Sequence, residues 1–163
     1  MIACVCKVAL AALLCFSSSA FATERPLTAD CLVKAASAYS IHPDVLLAVL
    51  MVEGGSVGEN SRPNKNGSYD IGLFQLNSIH RDAIAQLGIT EDLLRNDGCV
   101  NATVAAWHLR KVFPPEKEAQ ITTDADYLSA IAVYHSATPE FNAIYARKLR
   151  AAFERMYSQE SIE

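Results

Sequence analysis

A mainly α-helical single domain with at most one small hairpin is the fold this sequence of 163 residues predicts. Three observations carry it. Apolar residues recur at helical spacing through most of the chain. One polar insertion rich in glycine, asparagine and serine, from Gly55 to Ser68, follows directly on the most apolar helix. What lies beyond the N-terminal leader has the ordinary length for one hydrophobic core.

The leader comes first. Lys7 precedes an apolar run, Val8 to Phe16, then Ser17-Ser18-Ser19 and Ala20-Phe21-Ala22. The run is roughly half the ~20 residues of a membrane helix, and small residues stand where signal peptidase cuts. We therefore expect a signal peptide over residues 1–22 cleaved after Ala22, a periplasmic product and no remaining membrane anchor. Leu14 before Cys15, where a small residue would be expected, argues against a lipid anchor. Residues 23–163 then form one domain, with its core over about 31–150.

Within it, Thr28 can cap a helix from Ala29 to Tyr39 carrying Leu32, Ala35 and Ala36. After a turn at Ser40-Ile41-His42, Pro43 suits the first turn of a helix apolar on most sides, with Val45, Leu46, Val49 and Leu50. This is the expected buried central helix. It stops at Gly54-Gly55. Ser68 to Asn77 alternates weakly, as a short hairpin would. Helices resume over Ile79 to Gln86, about Thr90 to Arg95, and about Cys99 to Val112. On the last of these Val100, Val104, Trp107 and Lys111 share a stripe, which makes Trp107 a core residue. Pro114-Pro115 breaks the pattern. Two further helices are expected, Asp124 to Tyr134 and Pro139 to about Tyr157, the final one carrying a core stripe of Leu149, Ala152, Phe153 and Met156.

Composition excludes several functions. Asp and Glu number 18 against 14 Lys and Arg, a net charge of −4, with no basic block long enough to track a phosphate backbone, so nucleic acid is not expected as a partner. Of five cysteines, only Cys31 and Cys99 lie outside the leader. An even pair in an oxidising compartment is expected to form a disulfide, worth on the order of 4 kcal/mol for a loop this long; two buried thiols are the other reading. His42, His80, His108 and His135 are scattered along the chain without metal-ligand spacing, so no metal is expected.

The chemistry-bearing residues are few. Glu53 closes the apolar helix, three residues after Leu50, on or near a buried stripe. Desolvation there would raise its pKa and keep it protonated near neutral pH, able to donate a proton to a leaving oxygen. A helix-end glutamate reaching solvent past the glycines is the alternative. Asp70 follows, then Gln75 and Asn77, two amides that on an extended segment would point the same way and suit the hydroxyl and acetamido groups of a sugar. Tyr127, Ile131 and Tyr134 share a helix face, where Tyr134 reads as core as readily as site.

Together these segments resemble the lytic transglycosylases with a lysozyme-like catalytic domain, especially the small exported ones that accompany conjugation, type IV secretion and pilus machines. The resemblance runs from about Cys31 to Tyr145. It rests on the apolar helix ending in Glu53, on Gly72-Leu73-Phe74-Gln75-Leu76-Asn77, and on Tyr134-His135-Ser136-Ala137-Thr138-Pro139. It implies that Glu53 is a single acid and base and that Gln75 and Asn77 line a sugar cleft. It also implies that Tyr134 hydrogen-bonds near Glu53, and that Cys31 pairs with Cys99. The implied substrate is the peptidoglycan glycan strand, with no cofactor, and the implied partners are components of such a machine. Two positions depart from the wider family: Gly54 stands where many members have serine, and His135 where they have asparagine. Both occur in the conjugation-associated branch, and without the serine hydroxyl the sequence does not identify what holds Glu53.

Two rival functions follow from the same residues. Asp70, just before the Gly-x-x-Gln-x-Asn segment, could serve as the second carboxylate of a hydrolysing muramidase. A catalytically silent glycan-binding subunit is the other; a non-catalytic exported helical domain would leave the shared set Glu53, Gln75, Asn77 and Tyr134 without a purpose.

Overall fold

The computed structural model describes residues 23–159; the expected signal peptide lies outside the described residues. Helix α1 (Ala29–Ala38) begins where Thr28 Oγ1 accepts from the Cys31 amide at 3.2 Å. A tight turn with Ser40 at φ 52° reverses the chain into α2 (Pro43–Glu53), whose first turn holds Pro43. Beyond a long polar loop, β1 (Asp70–Ile71) and β2 (Leu76–Asn77) pair antiparallel, Asp70 opposite Asn77 and Ile71 opposite Leu76.

A 3-10 turn (Ser78–His80) leads to α3 (Arg81–Ala85), then α4 (Glu91–Asn96) and α5 (Gly98–Val112). The Asp97 carboxylate caps α5 by accepting from the Cys99 and Val100 amides. Proline does more than break the chain after α5: Pro115 starts one further turn, α6 (Pro115–Glu118), because its fixed φ suits a first helical position. Helix α7 (Asp124–Ile131) passes into a 3-10 turn (Ala132–Tyr134), and α8 (Pro139–Gln159) ends the described chain.

The core gathers Ala35 and Ala36 of α1, Leu46, Ala48 and Val49 of α2, Ala102, Ala105, Ala106 and Leu109 of α5, Ile131 of α7, and Leu149 and Ala152 of α8. Helix α2 runs against α8 and α1, and α5 against α1 and α4. The expected stripe on α5 is corrected. Its buried face is Asn101, Ala102, Val104, Ala105, Ala106, His108 and Leu109, while Val100 and Trp107 are only partly buried and Lys111 lies outside, its ammonium 5.1 Å from the Trp107 ring centre. Small side chains let α5 approach its neighbours more closely than the bulkier ones could, so the alanine face wins the interior. The stripe on α8 runs inward as expected, Leu149 and Ala152 fully buried and Phe153 and Met156 partly so.

Cys31 and Cys99 form a disulfide between the start of α1 and the start of α5. Beside it, Arg25 ties the N-terminal strand to the α4–α5 corner: its amide donates to Asn96 O at 2.8 Å, its carbonyl accepts from Gly98 N at 2.8 Å, and its guanidinium pairs with Asp97 at 2.7 Å. Among the described residues no single helix is long and apolar enough to cross a membrane.

Candidate active site

Helix α2 ends at Glu53 because Gly54 takes the left-handed conformation, φ 60°, with its amide bonded to Leu50 O. Gly55 then presses against the hairpin. Its amide donates to Leu73 O at 3.1 Å, and a Cβ there would sit 2.2 Å from Gly72 O and 2.5 Å from Gln75 Nε2. The glycine pair thus ends the helix and lets the hairpin close over its end, which brings Glu53 to the wall of a cleft of about 740 Å³.

That cleft holds Glu53, Asp70, Gln75, Asn77 and Tyr134 together. Burial pushes the Glu53 carboxyl up to about 7; the Tyr145 hydroxyl, donating to Glu53 Oε1 at 2.7 Å, works against this, and the charge of Asp70 adds to it. Such a group is about half protonated at neutral pH. Tyr145, on α8, is therefore the residue that holds Glu53, the role the sequence left unassigned. His135 lies flat against it, ring centres 5.0 Å apart and planes 5° from parallel. The histidine that replaces the wider family's asparagine thus fixes the ring that orients the acid.

Tyr134 is buried beneath the site, and its hydroxyl donates to Phe74 O at 2.8 Å, pinning the hairpin turn. Asp70 is held across the hairpin: Asn77 Nδ2 donates to Oδ1 at 2.7 Å, and Ser61 Oγ accepts from the Asp70 amide at 2.8 Å. The expected side-by-side orientation of Gln75 and Asn77 is corrected. Gln75 sits in the connecting turn with φ 47°, its Nε2 bonded to Gly72 O at 2.8 Å, and only Asn77 is in the strand. Closing so short a hairpin requires left-handed residues at both ends of the turn, Gly72 at φ 68° and Gln75. Both amides reach the cleft from different backbone conformations.

Three of the four histidines, scattered in sequence, line this cleft. His108 is buried, 4.5 Å from the His80 ring and edge-on to Tyr134 at 5.1 Å; burial, then His80, lowers its pKa to about 4, so it is neutral. No group of three or more His, Cys, Asp or Glu among the described residues is arranged to hold a metal ion. A second depression of about 730 Å³ runs along α7 and α8, but none of the carboxylates or amides above reaches it.

Sequence reasoning passed over Tyr145, Asn101 and the histidine cluster. Only Tyr145 left a usable signal, a polar ring on the inward face of α8 one turn before Leu149. Tyr145→Phe is expected to lower the rate of any acid-catalysed reaction here about tenfold and to move the alkaline limb of its pH profile upward. The lost hydrogen bond favoured the carboxylate, so the carboxyl titrates higher without it. A pH–rate profile unchanged from wild type would remove Tyr145 from this role.

The family model for the transglycosylase SLT domain matches residues 30–143. Invasion protein IagB of Salmonella typhimurium is 34% identical over 82 residues, 48% of this chain and 49% of that protein. Protein IpgF of Shigella flexneri is 33% identical over 78 residues, 48% of this chain and 51% of its own length. A peptidoglycan-binding-like protein of Escherichia coli O157:H7 is 32% identical over 91 residues, covering 51% and 54%. The chain thus spans about half the length of the curated relatives it matches.

Proposed function

The chain belongs to the transglycosylase SLT domain family, with a mainly helical, lysozyme-like fold, and from that premise we propose that it is a periplasmic lytic transglycosylase. It cleaves the β-1,4 bond between N-acetylmuramic acid and N-acetylglucosamine and leaves a 1,6-anhydro end. The observation that carries this reading is Glu53: a largely buried carboxyl with its pKa near 7, fixed by Tyr145 at the wall of a cleft furnished with amides.

In this reading protonated Glu53 donates to the bridging oxygen, and the bond to the anomeric carbon breaks. The substrate's own acetamido oxygen stabilises the positive charge that develops there. The Glu53 carboxylate then takes the proton of the 6-hydroxyl, whose oxygen closes on the anomeric carbon, so the acid is regenerated and no water is consumed. Gln75 and Asn77 bind the sugar. The disulfide supports an oxidising compartment. The resemblance to conjugation and secretion-associated enzymes, and a relative named an invasion protein, support a role in opening the wall locally for an envelope machine.

One observation keeps a muramidase in view: the charge of Asp70 is felt at Glu53. Mass spectrometry of products released from purified peptidoglycan separates the two. Muropeptides ending in 1,6-anhydro-muramic acid are expected. Reducing ends, heavier by one water, would make Asp70 the second catalytic carboxylate and the protein a hydrolase, and no released products would leave a glycan-binding subunit.

A further inference from the structure

The polar loop between α2 and β1 ends in a turn built to present one side chain. Asn64 and Ser68 are bonded to each other through the Asn64 amide and Ser68 carbonyl, 2.6 Å, and through their side chains, 3.1 Å. Asn66 Oδ1 accepts from both the Ser68 amide, 3.1 Å, and its hydroxyl, 2.8 Å, and Gly67 closes the turn at φ 81°. Asn77 Nδ2 donates to Ser68 Oγ at 3.3 Å, so the same amide that holds Asp70 also ties this turn to the hairpin. Lys65 stands at its tip. It is exposed, lines the cleft, and forms no ion pair among the described residues.

Its surroundings make that charge conspicuous. The other titratable side chains of the lining are Glu53, Asp70, Tyr134 and three histidines whose burial keeps them neutral near pH 7. Among the described residues, Lys65 is thus the one lasting positive charge in the lining. An exposed cation on the wall of the cleft is placed to meet an anionic group of a bound strand.

Resting on the glycan-cleaving reading above, we propose that Lys65 is a specificity residue that recognises the anionic lactyl groups of glycan strands stripped of their stem peptides, since a lactyl group amide-linked to a peptide carries no charge. It favours such strands over a neutral N-acetylglucosamine polymer of the same backbone. Its ammonium pairs with the lactyl carboxylate of a peptide-free sugar.

The test is a binding titration in the Glu53→Gln background, which prevents cleavage, using peptide-free glycan strands and neutral chito-oligosaccharides of equal length. The expected result is tighter binding of the anionic strands, a preference that Lys65→Gln reduces about fivefold, the size of a well-placed exposed ion pair. Lys65→Arg should keep it, and added salt should erode it in the parent but not in Lys65→Gln. Equal preference in the parent and Lys65→Gln would overturn the assignment alone. So would Lys65→Arg losing as much as Lys65→Gln, since charge would not then be the cause. Binding of neither glycan would instead sink the glycan-cleaving reading, and the role of Lys65 with it.

Discussion

Glu53→Gln is expected to lower release of products from peptidoglycan by about 10²–10⁴-fold, the usual share of a positioned general acid, while the protein folds normally. Glutamine keeps the oxygen that accepts from Tyr145 but has no proton to give the leaving sugar. The same substitution should stabilise the protein above neutral pH. The Glu53 pKa is raised on folding from 4.5 to about 7, so the folded state resists ionising it. Below pH 4.5 the carboxyl is protonated in both folded and unfolded chains and costs nothing. As pH rises from there the unfolded chain loses the proton first, and stability falls until about pH 7, by up to about 3 kcal/mol. Urea denaturation at pH 4 and pH 8 would show it: the midpoint of the glutamine variant should exceed that of wild type at the higher pH only. In wild type, kcat/KM should be halved near pH 7 and fall about tenfold per unit above, as the acid form disappears. A variant that cleaves as wild type would end the assignment of Glu53, and a midpoint unchanged at pH 8 would mean that its burial is not costly.

How much of this was legible in the sequence depends on whether a residue's role is set by near neighbours or distant ones. Thr28, Pro43, Gly54 and Pro139 act within a turn of where they stand, and the helices they bound were read to within a residue or two. For Glu53 the helix pattern alone left a buried carboxyl and a solvent-reaching one both open, and it was the family resemblance that singled the residue out. The orientation of Gln75 was misjudged because an extended backbone was assumed where closing the hairpin demands a positive φ. Tyr145 was missed for another reason: its partner lies 92 residues away, and its place on the inward face of α8 marks a buried polar ring without naming what that ring bonds. The histidines look scattered along the chain: His80 and His108 meet, and His135 joins them on the cleft wall, only once α5 and the 3-10 turns are assembled.

Asn101→Ala is expected to cost on the order of 4 kcal/mol and to take activity with it. Asn101 is 1% exposed, within the alanine face of α5. Its Oδ1 accepts from Phe74 N at 2.9 Å, and its Nδ2 donates to Ile71 O at 3.1 Å and Leu94 O at 2.9 Å. One side chain therefore satisfies three backbone groups of the hairpin and α4 that water does not reach. Removing it leaves these groups unpaired, at about 1–3 kcal/mol for each that cannot find water, and adds a small cavity. Gly72 shows how tightly the two are joined, since a Cβ on it would lie 2.5 Å from Asn101 Nδ2. The hairpin carries Asp70, Gln75 and Asn77 and supplies the carbonyl that Tyr134 binds. Loosening it should thus reduce kcat/KM even at temperatures where the variant remains folded. Asn101→Asp separates shape from bonding: it keeps the volume and the acceptor for Phe74 but loses both donors, and as a buried carboxylate facing two carbonyls it should destabilise at least as much as alanine at neutral pH. Denaturation midpoints together with activity on peptidoglycan would measure both effects. A loss below 1 kcal/mol for either variant would mean that the hairpin is held by its own turn and by Tyr134, and that Asn101 merely fills the space between them.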